Sequence, residues 1–105
     1  LSAAREISTL ARLSHMRLSP HVWGGAVGLS AALHFHSAQV AWPHTDNVPY
    51  PPLLEYDQGE NALRDKLLTA PIACIDGHLV VPEGPGLGIE LDWDAVETYR
   101  VTRNL

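Results

Sequence analysis

Ser19-Pro20-His21-Val22-Trp23-Gly24-Gly25 is the stretch around which the chain is organised. A short extended piece, residues 17–19, runs into a proline that keeps the residue before it out of helical space. An imidazole follows, and two glycines then open a long apolar stretch of helical character. That is the layout of a strand whose C-terminal tip presents a histidine just before the next helix begins. In an α/β barrel the loops after the strands converge over such tips, and reacting side chains sit there. Read locally, His21 has two roles open to it: a loop histidine bonded to a backbone carbonyl, or a proton-transfer group.

The segments on either side extend the pattern. Residues 2–14 read as an amphipathic helix capped by Ser2, with Ala3, Ile7, Leu10 and Ala11 on one stripe and Arg5, Glu6 and Arg12 on the wet side. His15-Met16 turns the chain into the strand before His21, so a helix, a turn and a strand form the second half of a βαβ unit. Residues 25–40 are apolar round the whole wheel, which predicts a largely buried helix. A metal reading of His34 and His36 fails on geometry, because residues two apart do not share a helix face. His15, His44 and His78 stand alone.

Residues 41–52 form a proline-rich loop that leads to Leu53-Leu54-Glu55-Tyr56-Asp57, a short strand with a carboxylate at its tip. Locally, Glu55 reads as an exposed loop acid. Residues 60–68 supply a helical turn or two, closed by Pro71. Asp76-Gly77 then predicts a tight hairpin with arms 72–75 and 78–81. The run Gly84-Pro85-Gly86-Leu87-Gly88 predicts a rigid loop with positive φ angles. It is not a phosphate loop, since no Lys-Ser/Thr follows and no helix starts at its end. Residues 89–92 alternate as a last short strand, and residues 94–99 form a helical turn capped by Asp92 or Asp94.

Composition bounds the function. The chain has 105 residues, one domain at most, and 46% of them are hydrophobic, enough to bury a core. A net charge of -5, with no Lys/Arg cluster, argues against a nucleic-acid partner. An anionic ligand would need a bound cation or local donors. One cysteine excludes an internal disulfide and fits a reducing, cytoplasmic setting. No apolar run approaches the roughly 20 residues of a membrane span. The chain opens at Leu1, without Met, directly in a helical pattern, as a piece of something longer would.

In this order and spacing, four motifs together resemble the C-terminal third of an enolase-superfamily enzyme of the mandelate racemase and muconate lactonising branch. They are Ser19-Pro20-His21-Val22-Trp23-Gly24, Glu55-Tyr56-Asp57 with Asn61-Ala62-Leu63-Arg64, Ile75-Asp76-Gly77-His78, and Gly84-Pro85-Gly86-Leu87-Gly88-Ile89-Glu90-Leu91. Within that branch the sequence is similar to D-galactarolactone cycloisomerases and related sugar-acid dehydratases. The resemblance implies an α/β fold, the C-terminal portion of a (β/α)7β TIM-like barrel. Residues 1–70 would be its last βα units, and residues 71–105 a tail whose hairpin returns to pack on a capping domain. Leu18 and Ser19 would lie on the seventh strand, residues 25–40 on the seventh helix, and Leu53 and Leu54 on the eighth strand.

The same resemblance implies roles for the site residues. His21 matches the seventh-strand histidine that acts as acid or base at the carbon next to a carboxylate. Glu55 matches the eighth-strand glutamate that faces the substrate carboxylate as the enediolate forms. Trp23 would line the substrate site. The chemistry suits these residue types, since imidazole titrates near neutrality and a positioned general base contributes roughly 10²- to 10⁴-fold. A carboxyl group can donate to a developing enediolate only while protonated, so Glu55 would have to hold a proton. The implied cofactor is magnesium, with ligands expected upstream of this chain, along with the lysine base and the Asp that orients the histidine. Glu83, Glu90, Asp92 and Asp94 belong to the tail and do not replace them.

Two expectations follow. The first is the C-terminal part of a magnesium-dependent lyase, isomerase or racemase of acid sugars or their lactones, inactive alone and partnered by the missing barrel and capping parts. The second is a non-catalytic half-barrel that serves as an interaction or structural module. Under either, the apolar faces of the first two helices call for partner strands or a homo-oligomer.

Overall fold

The computed structural model describes residues 1–39 and 53–101. The proline-rich loop 41–52, with His44, and the C-terminal end of the predicted helix at Val40 lie outside them. In chain order the elements are α1 (Ser2–Leu13), α2 (Ala26–Ser37), α3 (Ala62–Asp65), β1 (Cys74–Ile75), β2 (His78–Leu79) and α4 (Trp93–Thr98).

Helix α1 forms where its periodicity places it, but Ser2 is not its cap. Leu1 holds that position and offers no side-chain cap, while Ser2 is already helical. The predicted core stripe is also open: α1 buries no residue, and Ile7 and Leu10 are exposed among the described residues. No described element packs over that face. The helix ends in a six-to-one and five-to-two pair of backbone bonds, Met16 N–H to Ala11 O at 2.8 Å and His15 N–H to Arg12 O at 3.1 Å. His15 takes the left-handed conformation this termination requires, with φ 54°.

Helix α2 is where the small core sits. Ala26, Leu29, Ser30, Leu33 and His36 are buried along one face, while Val27 is exposed. Composition alone suggests burial all round, but the described residues cover one stripe only. Against that stripe lie α3 and the tail. Leu87 O accepts from Ser30 Oγ at 2.8 Å and from His34 Nε2 at 3.1 Å, so one carbonyl latches the glycine-proline loop to two successive turns of the helix. In that loop Gly84, Gly86 and Gly88 have φ of 136°, 66° and 65°, as the sequence requires.

The sheet content is lower than expected. Residues 17–19 and 53–54 carry no strand ladder, and the single sheet among the described residues is the hairpin β1-β2. Its register pairs Cys74 with Leu79 and Ile75 with His78, and Asp76 and Gly77 have φ of 49° and 77°, the signs a type I′ turn needs. The expected last strand shrinks to one antiparallel bridge, Leu68 with Leu91, flanked by Thr69 N–H to Glu90 O and Asp92 N–H to Leu67 O, both 3.0 Å. Helix α4 then starts one residue earlier than expected. Asp92 caps it, accepting from the amides of Asp94 and Ala95.

Candidate functional site

Although no ladder joins them, residues 17–23 and 53–57 run side by side. Ser19 Oγ donates to Leu53 O at 2.8 Å, His21 Nδ1 lies 2.5 Å from Glu55 Oε2, and Trp23 Nε1 donates to Asp57 Oδ2 at 3.1 Å. Each pair is 34 residues apart in sequence. Each also lies two residues beyond the last, and side chains two apart share one face of an extended chain. A constant offset means the segments run in the same direction; antiparallel partners would converge in number. The pairing is that of two parallel neighbours read through their side chains.

His21 and Glu55 therefore meet, as do Trp23 and Asp57. All are near an open rim: the His21 and Glu55 side chains are 74% and 49% exposed, and Trp23 is 73% exposed. A large cleft among the described residues lies elsewhere. It runs between α1 and the end of α2, lined by Arg5, Ser8, Arg12, Phe35 and Leu53 among others, and includes neither His21 nor Glu55.

What fixes the rim is the turn after Glu55, built from residues that sequence reasoning did not single out for this role. Asp57 Oδ1 accepts from Gly59 N–H at 2.8 Å, an Asx-type turn. Asn61 caps α3, accepting from Arg64 N–H, and its amide donates to Gly24 O at 3.0 Å. Arg64 donates to Asp57 O and, at 2.9 Å, to Gly59 O, and its guanidinium lies over the Tyr56 ring at 5.4 Å. The hydrogen bonds that Arg64 donates to the Asp65 carboxylate hold the guanidinium above its ordinary pKa and hold Asp65 below its own. The Asp-x-Gly and Asn-x-x-Arg spacings are local signals for the turn and the cap. The partners of Arg64 could not have been read locally.

The other histidines have structural surroundings. His34 is bound to Leu87 O, His78 Nδ1 donates to Asp76 O at 2.9 Å, and His15 closes α1. His36 is buried, neither ring nitrogen reaches a hydrogen-bond partner among the described residues, and burial pushes its pKa down, with the Leu53 backbone opposing in part. No group of three His, Cys, Asp or Glu among the described residues could hold a metal ion. Glu55 engages His21 through Oε2, and Asp57 gives Oδ1 to Gly59 N–H and Oδ2 to Trp23. The described residues of this chain do not by themselves fit a magnesium site. No described helix is long and apolar enough to cross a membrane.

Comparison with known proteins places the chain in a family. D-galactarolactone cycloisomerase of Agrobacterium fabrum is 40% identical over 100 residues, covering 95% of this chain and 26% of that protein. Arabinonate dehydratase of Saccharolobus solfataricus is 32% identical over 100 residues, covering 95% of this chain and 24% of that protein. The crystal structure of the 3,6-anhydro-D-galactonate cycloisomerase of Zobellia galactanivorans superposes with a TM-score of 0.73 at 39% identity, over 90% of this chain and 24% of that one. The chain thus spans about a quarter of the length of the relatives it matches. Residues 1–95 match the family model described as enolase C-terminal domain-like, and the chain belongs to that family, in the mandelate racemase and muconate lactonising branch of the enolase superfamily.

Proposed function

We propose that this chain is the C-terminal part of a magnesium-dependent enzyme that removes the proton next to the carboxylate of an acid sugar or its lactone, in a dehydration, cycloisomerisation or racemisation. The observation that carries this reading is the meeting of His21 and Glu55 at 2.5 Å on one face of two parallel segments. The names of the relatives supply the substrate class. In this reading residues 17–19 belong to the seventh barrel strand and residues 53–54 to the eighth. Residues 1–70 end the barrel, and residues 71–105 form a tail whose hairpin packs on a capping domain. Magnesium is held by carboxylates outside this chain, and the protein is a cytoplasmic homo-oligomer.

His21 is the acid or base at the α-carbon, Glu55 faces the substrate carboxylate, and Trp23 lines the site. With Nδ1 on Glu55, Nε2 is the nitrogen left to face the α-carbon. The contact also suits the chemistry of the pair. A neutral imidazole whose Nδ1–H donates to the Glu55 carboxylate keeps a lone pair on Nε2 that can accept the α-proton. The imidazolium so formed can pass its Nδ1 proton to Glu55, which leaves an Nε2–H imidazole and a carboxylic acid that can donate a hydrogen bond to the growing negative charge.

The test uses the full-length protein with D-galactarolactone and arabinonate. His21→Asn should keep the fold and lower turnover by roughly 10²-fold or more. If His21 takes the α-proton, solvent-deuterium exchange into substrate disappears with it; if His21 only returns a proton, exchange survives while product formation stops. Glu55→Gln should lower exchange and turnover together, because it acts on the enediolate common to both routes. Near-normal turnover in His21→Asn would remove the assignment.

A further inference from the structure

Of the features outside the His21–Glu55 pair, the carboxylate of Asp57 is the most completely engaged. Oδ1 accepts from Gly59 N–H at 2.8 Å, and Oδ2 accepts from the Trp23 indole at 3.1 Å and lies 3.5 Å from Arg64 Nη1. The Asp57 and Arg64 side chains are 22% and 12% exposed. Trp23, which they hold, is 73% exposed. A half-buried clamp thus fixes a ring that contributes little burial of its own.

We infer that Asp57 is a positioning residue whose role is to orient Trp23 as a flat platform beside His21 and Glu55, against which the carbon face of the substrate packs. Three observations lead there. Trp23 stands two residues beyond His21, so in the parallel pairing both side chains share one face. The only polar atom of the indole is already spent on Asp57, so what Trp23 can offer a ligand is a ring face, not a donor. Finally, both oxygens of Asp57 are satisfied within the chain, which leaves it no capacity to act on substrate. The ligand class follows: a small molecule with a C–H face adjoining its carboxylate, as an acid sugar has. The inference rests on the function proposed above for the substrate, but the clamp itself is independent of it.

The experiment compares full-length wild type, Asp57→Asn, Asp57→Ala, Trp23→Phe and the Asp57→Ala/Trp23→Phe double variant, with D-galactarolactone as the probe. In ligand-free protein the Trp23 indole N–H resonance, identified by its loss in Trp23→Phe, should move and exchange faster in Asp57→Ala, and move less in Asp57→Asn, whose single acceptor oxygen can serve the indole or Gly59 N–H but not both. Asp57→Ala should raise KM about tenfold, the size of one lost aromatic contact, with kcat changed less than about threefold. In the Trp23→Phe background, where the N–H is gone, Asp57→Ala should have no further effect on KM. An unmoved indole resonance overturns the clamp whatever the activity. A moved resonance with unchanged KM, or an undiminished effect of Asp57→Ala on Trp23→Phe, overturns the platform. Failure of the function proposed above is read separately, in the deuterium exchange of His21→Asn. Should Asp57→Ala not fold, Asp57→Asn replaces it in the same cycle: a KM rise that vanishes in the Trp23→Phe background keeps the inference, and one that persists there, or no rise with a moved indole resonance, overturns it.

Discussion

Two glycines in the tail loop share a backbone conformation and differ in their surroundings, so the same substitution should have different effects. Gly86 and Gly88 have φ of 66° and 65°, a region that is unfavourable for an L-residue by roughly 1–2 kcal/mol. A Cβ on Gly86 meets nothing within 4 Å. On Gly88 it would lie 2.7 Å from Pro82 O, 2.8 Å from Pro82 C and 3.0 Å from Glu83 C, all backbone atoms that cannot rotate away. Overpacking of that kind adds about 1–3 kcal/mol. Gly86→Ala should therefore cost about 1 kcal/mol and Gly88→Ala about 3 kcal/mol. Urea unfolding of the full-length protein, with the m-value unchanged, reads both as shifts in midpoint. Equal losses in the two variants, or a Gly88→Ala loss below about 1 kcal/mol, would refute the steric argument. Lost ligand binding with an unchanged midpoint would refute the structural role of the loop altogether.

The His15→Gly substitution should stabilise the protein by about 0.5–1 kcal/mol, since glycine suits the left-handed turn after α1 better than histidine does. A lowered unfolding midpoint would show that the His15 side chain makes a contact worth more than its strain. Because burial lowers the pKa of His36, the unfolded chain binds this proton more readily than the folded one. The stability this group supports is then full above the ordinary histidine pKa of about 6.5 and is lost as pH falls through the lowered value. His36→Leu should flatten that acid limb relative to wild type, and an identical slope in both would mean that His36 titrates normally.

What could be read from the sequence was whatever local rules govern. Asp76-Gly77 dictated a type I′ hairpin because both central residues need positive φ, and the alternation of glycine and proline over residues 84–88 dictated a loop of the same kind. Helical periodicity located both ends of α1 and the start of α2 to within a residue, while α2 ends at Ser37, three residues short of the expected Val40. The exceptions have physical causes. Ser2 had the right chemistry for a cap but the helix begins a residue earlier, at a leucine that can only serve through its carbonyl. The burial of a helix face depends on what lies opposite, which is why Ile7 and Leu10 read as core and are exposed. His21 and Glu55 were singled out by resemblance, but their direct contact depends on register between segments 34 residues apart, which no window along the chain reveals. Arg64 escaped for the same reason, since three of its partners are carbonyls and an aromatic ring fixed by the turn.

The shared acceptor on the tail has a consequence for how this region breathes. Ser30 and His34 both hold Leu87 O, and their helix starts at Ala26, directly after the glycines that follow Trp23. Pulling the tail loop away would leave Ser30, fully buried at 0% exposure, without its partner, while fraying α2 would strip the loop of both donors. Neither can open cheaply without the other. Native-state amide exchange should then find the middle of α2 and the amides around Gly88 released together, as one cooperative unit with a single opening free energy, while the exposed hairpin exchanges earlier and alone.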